Sequence, residues 1–310
     1  VTPEQPNKVS VIDPISPAVE RVKAILFKPF DLGKWFTIGF CAWLAYLGSG
    51  GGGGGGGNWN APHEQQTKIA EGVNSAKEYL LDNLCWIIPL IAILAVVIIG
   101  IGLLIAWLNS RGKFMFLHCV ATNKSEVKVP WHKFRKHGNS LFLFRIVLGI
   151  IGLAIVAVPI LGIVLLIIMM AAKAAPIIVF VPITILLGLI VFVLAIALSL
   201  VSKFTFDFVV PIMFLRTASC VASWRELLTI LSVNKARLAL YILFQIVITI
   251  AIGTIIFIGF CIGCCLCCVS LLLFIPYIGT VILLPLFVFK RAYSLYYLRQ
   301  FGPGFDVFSI

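Results

Sequence analysis

The chain has 310 residues, of which 61% are hydrophobic and 12% charged, with a mean hydropathy of +1.10. A soluble domain runs about 45–50% apolar and about 25% charged. One globular core cannot hide this apolar excess, so composition excludes a secreted disulfide scaffold, a disordered chain and a soluble nucleic-acid binder. An all-α, polytopic integral membrane protein remains.

A spanning helix needs about 20 apolar residues to cross about 30 Å of hydrocarbon. In chain order, the first candidate is 35–47, extensible back to residue 30, and the second is 85–108, which carries no charge. The third is 141–170, interrupted by Arg145, and the fourth is 176–201. The fifth and sixth, 238–262 and 269–289, flank a cysteine-rich turn. These runs are continuously apolar, whereas barrel strands alternate every second residue. Six transmembrane helices are therefore expected, with prolines 89, 159, 182, 276 and 285 as places for kinks.

Of 24 basic residues, 21 fall on one side: before the first span, between the second and third with Arg145 just inside the third, between the fourth and fifth, or after the sixth. The other side holds Lys68, Lys77 and Lys173 against Glu64, Glu71, Glu78 and Asp82. The positive-inside rule then puts both termini in the cytoplasm, with the chain in the inner (cytoplasmic) membrane. The net charge of +12 follows from this topology and from attraction to anionic headgroups, and nucleic acid is not required. The first 29 residues have no apolar signal-peptide core, so the first span is expected to act as its own insertion signal.

The segments between spans repeat. Lys113-Phe114-Met115-Phe116 and Lys203-Phe204-Thr205-Phe206 begin 90 residues apart, and Lys290-Arg291 follows after 87. Trp35, Trp131 and Trp224 mark membrane re-entry at intervals of 96 and 93 residues. Three hairpins of about 90 residues would give six spans, by internal duplication or by similar loops alone. Each cytoplasmic segment reads as an amphipathic helix. In 223–233, Trp224, Leu227, Leu228 and Leu231 share one face, and Ser223 with Glu226 forms a capping-box pattern. In 17–28, Val19, Val22, Ile25 and Leu26 oppose Glu20, Arg21, Lys23 and Lys28, with Ser16-Pro17 as a start signal. In 130–137, Trp131 and Phe134 oppose Lys133, Arg135 and Lys136, and Gly138 closes the segment. Such helices lie in the interface with Trp35, Trp131 and Trp224 as anchors, or pack on the cytoplasmic ends of the bundle.

Residues 48–84 form a Gly-rich extracytoplasmic loop, opening with an unbroken run over 50–57. The run lacks the Lys-Ser/Thr of a phosphate-binding loop and reads as a flexible linker or a close-packing segment lidded by Trp59. Cys261, Cys264, Cys265, Cys267 and Cys268 form a second cluster. Three readings stand: small-residue helix packing, a disulfide on the outer face, or a thiolate metal site. The histidines make no metal-binding pair, and no metal or cofactor is expected. Ionisable residues inside a membrane are functional candidates, and Lys203 with Asp207, at i and i+4, are spaced for an ion pair on one helix face. Arg145 is placed to snorkel to the headgroups.

The Gly-rich loop, the Phe-Thr-Phe-Asp-Phe-Val-Val-Pro-Ile-Met stretch at 204–213 and the apolar-aromatic ending at 284–303 carry a resemblance. The chain resembles uncharacterised six-helix bacterial integral membrane proteins, themselves similar to the membrane domain of some glycerophosphodiester phosphodiesterases. The resemblance implies a membrane location and six spans. The phosphodiesterase barrel would need about 250 further residues with acidic metal ligands, so no catalytic residue carries over. The expectation is a non-enzymatic scaffold or membrane-organising component. Its partners would be membrane lipids, anionic cytoplasmic headgroups, and a membrane protein or second copy. A small-molecule or lipid permease or channel, with Lys203 and Asp207 near its mouth, is the alternative.

Overall fold

The computed structural model describes residues 9–48, 83–171, 177–265 and 275–309. The glycine run, most of the 48–84 loop, Cys267 and Cys268 lie outside the described residues, and Cys264 and Cys265 belong to a helix end of which only the backbone is described.

Every regular element among the described residues is helical. They are α1 (Ile15–Val22), a π-helical turn (Lys23–Phe27), α2 (Leu32–Tyr46), α3 (Leu84–Thr122), α4 (Lys128–Lys133), α5 (Arg135–Ala171) and α6 (Ile177–Phe204). A second π-helical turn (Thr205–Val209), α7 (Val210–Arg216), α8 (Cys220–Val233), α9 (Lys235–Cys265), α10 (Pro276–Ile282), α11 (Leu284–Arg299) and two short 3₁₀ turns complete the chain. Four of these segments, Cys85–Thr122, Arg135–Met169, Val181–Arg216 and Lys235–Gly263, are long and apolar enough to cross a membrane. The count is five if α10 and α11, bent by 65°, make one crossing. Three expected prolines do not break their helices: α3, α5 and α6 run on through Pro89, Pro159 and Pro182.

The expected first span becomes α2, 15 residues long, or about 22 Å at 1.5 Å per residue. That is shorter than the hydrocarbon it was expected to cross. The expected sixth span is broken at Leu283, which leaves the helical region (φ −85°, ψ 6°) before Pro285. Proline removes one backbone donor and crowds the preceding turn, so the chain bends there.

The chain divides into two units, residues 1–45 with 110–310, and residues 46–109. In the second, the first part of α3 is a bare apolar rod, with Trp86 and Val96 exposed. Asn109 closes it by donating to the Leu47 carbonyl at 2.8 Å. The first unit has a dense base from which apolar helices project. Within the base, α2 touches the second half of α3 backbone to backbone. A Cβ on Gly112 would lie 2.5 Å from the Leu44 carbonyl carbon, so only glycine permits this approach. Phe134 stacks on Phe214 at 4.8 Å and on Phe114 at 6.0 Å, with His118 beside both Phe134 and Phe214. Most of the exposed large apolar side chains lie on α3, α5, α6 and α9.

The segments 17–28, 130–137 and 223–233 are largely helical, but their starts and stops differ from those expected. α1 begins after Pro14 rather than at Ser16-Pro17. Pro17 falls within its first turn, where backbone donors have no helical partner. Ala18, Ile25 and Leu26 are fully buried, while Val19 stays exposed. α8 is capped by Ser219, which accepts from the Ala222 N–H. Ser223 is buried inside that helix and Glu226 pairs with Arg216, so the expected capping box does not form. Leu227 is buried but Leu228 is half exposed. Gly138 does not end a helix: it lies within α5, where Arg111 Cγ would stand 2.8 Å from a Cβ.

Candidate functional site

The candidate site forms where α6 gives way to its π-helical turn. Phe204–Val209 is apolar except for Thr205 and Asp207, so the turn is driven into the base with its few polar groups enclosed. π-helical turns leave a backbone carbonyl without its usual partner and recur at functional sites. Here the Phe206 carbonyl accepts from Arg291 Nη1 at 2.7 Å. The Phe206 ring lies between two cations, Arg291 at 4.6 Å and Lys113 at 4.8 Å from its centroid. Each such contact is worth about 0.5–2 kcal/mol.

Lys203 and Asp207 meet at 2.9 Å, as the i, i+4 spacing requires. The Tyr241 hydroxyl donates to the same Asp207 oxygen at 3.0 Å and accepts from Gln245 Nε2 at 3.0 Å. Lys203 Nζ also donates to Gln245 Oε1 at 3.4 Å. One carboxylate, one amide, one phenol and one ammonium thus close a ring between α6 and α9. Tyr297 packs against Tyr241, ring centroids 4.5 Å apart, and donates to the Arg237 carbonyl. Asp207 is a carboxylate among the charged neighbours of Lys113, which also include Arg145 and Arg291. Positive charge is in excess around the π-helical turn. No nucleophile–base set or paired carboxylates accompany it among the described residues.

A cavity of about 270 Å³ lies next to this cluster, between α3, α5 and α6. Lys113, Arg145, Ser202 and Thr205 line its polar side, with Gly149 and Leu198 on its apolar side.

The tryptophans sit apart from the cluster, each held by the protein. Trp35 donates to the Leu26 carbonyl at 2.8 Å, Arg111 lies 4.8 Å over Trp131, and Trp224 stacks on Phe144. All three are partly exposed. Cys261 is exposed on α9 as a free thiol, with the rest of its cluster beyond what can be described. Cys220 is buried, and that burial pushes its thiol up to about 12 against the opposing pull of Lys113.

Basic residues of the N-terminal segment hold helix ends as well as charge. Arg21 donates from Nε and Nη2 to the Val120 carbonyl and from Nη2 to the Ala121 carbonyl, at the C-terminus of α3. Burial lowers its pKa from the ordinary arginine value, opposed by Tyr296. Lys34 donates to the Asn123 side chain at 2.8 Å, just past the same helix end. Cations there complement the helix dipole and satisfy its last carbonyls.

Three residues of the cluster, Tyr241, Gln245 and Arg291, were not singled out by sequence reasoning. A weak signal existed: Tyr241 and Gln245 are i, i+4 near the start of a span, and Arg291 follows Lys290 at the end of another.

These features describe an all-helical membrane protein built on a polar, aromatic base. Over residues 9–275 the chain matches the model of a family of unknown function (DUF7544), and it belongs to that family. No curated protein and no solved structure matches it.

Proposed function

We propose that the protein is a non-enzymatic membrane scaffold or organising component that gathers anionic lipid against a basic cytoplasmic base. The observation that carries this reading is the contrast within the first unit. Its projecting helices present bare apolar side chains such as Leu153, Leu186 and Phe257, and its base concentrates cations around one enclosed carboxylate. Bare apolar faces need lipid or partner helices around them, and a basic base suits an anionic leaflet.

On this reading, six segments cross the inner membrane: α3, α5, α6 and α9 at full length, and α2 and the bent α10–α11 pair where the bilayer thins to meet their shorter apolar lengths. α2 and α10 pack together, since a Cβ on Gly39 would meet Val281 at 2.6 Å and Tyr277 donates to the Phe36 carbonyl at 2.9 Å. Both termini and the amphipathic segments are cytoplasmic, the Gly-rich loop is external, and Trp35, Trp131 and Trp224 anchor the interface. The three-hairpin repeat and the kinship with phosphodiesterase membrane domains stand on the sequence patterns alone. The outer partner is a membrane protein or a second copy.

The test uses protein reconstituted in mixed phosphatidylglycerol–phosphatidylcholine vesicles. Brominated phosphatidylglycerol should quench tryptophan fluorescence more strongly than brominated phosphatidylcholine, while trapped solutes stay inside. Equal quenching with solute leakage would replace the scaffold reading with the channel reading. Cysteines placed at 125 or 305 should resist an impermeant label added outside whole cells, and one at 60 should take it.

A further inference from the structure

We infer that the cavity between α3, α5 and α6 binds the anionic head of a phospholipid, with the head between Lys113 and Arg145 and the acyl chain leaving past Gly149. This inference rests on the proposed engagement of anionic lipid and names the place where it happens.

Three observations converge. The first is charge. Lys113 is buried and Arg145 partly so, and both line one cavity. Two cations on the wall of one cavity attract an anion to the space between them. On the proposed reading these residues stand at headgroup level, where the phosphate diester of an anionic lipid is the available anion.

The second is shape and chemistry. A volume of about 270 Å³ accommodates a phosphate diester with part of its glycerol. Ser202 and Thr205 add hydroxyls on the polar side, and Leu198 supplies an apolar wall. Arginine presents a planar fork matched to phosphate oxygens, and lysine adds a point charge. A soluble anion would have no use for the apolar wall, whereas a lipid would use both.

The third is the exit. A Cβ built on Gly149 meets nothing within 4 Å, although three residues on, at Gly152, it would meet Leu198 at 3.0 Å. The helices α5 and α6 are therefore in contact at Gly152 and leave room at Gly149. The next apolar residues of α5, including Ile150 and Leu153, are exposed. An acyl chain leaving at Gly149 runs directly onto lipid-facing surface.

The full chain, purified in neutral detergent micelles, decides the matter. Phosphatidylglycerol should raise its melting temperature and remain bound in native mass spectrometry. Phosphatidylcholine and inorganic phosphate at equal concentration should do neither. Gly149→Leu fills the open space and exchanges a poor helix former for a good one, so the variant should fold and bind phosphatidylglycerol at least tenfold more weakly. Arg145→Gln should weaken binding to a similar degree, and Lys235→Gln, an exposed cation away from the cavity, should not. Wild-type binding by both Gly149→Leu and Arg145→Gln overturns the inference, as does inorganic phosphate acting as well as the lipid. The vesicle quenching experiment reads bulk lipid enrichment in the wild-type chain. A loss there with cavity binding intact, or the reverse, separates failure of the proposed function from failure of this site.

Discussion

Replacing Tyr241 with Phe tests whether the ring of polar groups around Asp207 holds α6 to α9. The phenol is fully buried, and its hydroxyl makes two contacts, donating to Asp207 and accepting from Gln245, each at 3.0 Å. Losing a hydrogen bond to a charged group costs about 1.5–3 kcal/mol, and leaving a buried amide N–H without an acceptor about 1–3 kcal/mol. Lys203 remains on Asp207 at 2.9 Å and offsets part of this, so the expected destabilisation is about 2–4 kcal/mol. Removing the carboxylate by Asp207→Ala leaves Lys203, 35% exposed, to water and Gln245 and takes the acceptor from Tyr241, for about 2–4 kcal/mol. The double variant should cost less than the sum, because residues in one network couple by about 0.5–3 kcal/mol. Denaturant unfolding in mixed micelles, followed by circular dichroism, gives all three values. A Tyr241→Phe effect below about 0.5 kcal/mol, or an additive double variant, would show that aromatic packing and not the polar ring joins the helices.

Other consequences follow from the base. Arg21→Ala should speed amide exchange at the end of α3, around residues 118–123, by removing its bonds to the Val120 and Ala121 carbonyls, and Arg21→Lys should restore little because it lacks the fork. Cys41 and Cys119 lie with sulfurs 3.8 Å apart, so a mild oxidant should cross-link them in the folded protein, detected as a shifted tryptic fragment. Cys220 titrates near 12 when folded and near 9 when unfolded. The unfolded chain therefore gives up its proton first. Its contribution to stability is full below 9 and declines as pH rises towards 12, and alkylation of this thiol in native protein should climb only above about pH 11.

Much of the architecture was legible because lipid-facing helices obey one strong rule, continuous apolarity. The runs at 85–108, 141–170, 176–201 and 238–262 lie almost wholly within α3, α5, α6 and α9. What hydropathy could not show was how far those helices continue. Ser110, Arg111 and Lys113 look like the start of a cytoplasmic loop, yet α3 carries them into the base, where all three are buried. Tertiary contacts there satisfy what water would satisfy in a loop. The short α2 shows a related ambiguity: its apolar residues Ile38, Cys41 and Ala42 are buried against protein, and a hydropathy window cannot tell a protein interior from lipid. Of the candidate site, Lys203 and Asp207 were visible through their i, i+4 spacing alone. Tyr241 reaches Asp207, Gln245 reaches Lys203 and Arg291 reaches Phe206 only through long-range packing, for which one sequence carries no period.

The central claim is that the apolar helices stand in hydrocarbon while the base lies at the interface. Spin labels placed singly at residues 98, 153 and 225 in a folded, cysteine-free background report it by power saturation in vesicles. Labels at 98 and 153 should be reached by oxygen and shielded from a water-soluble nickel chelate, and the label at 225 should show the opposite order. Ready access of the chelate to residue 153 would contradict the account.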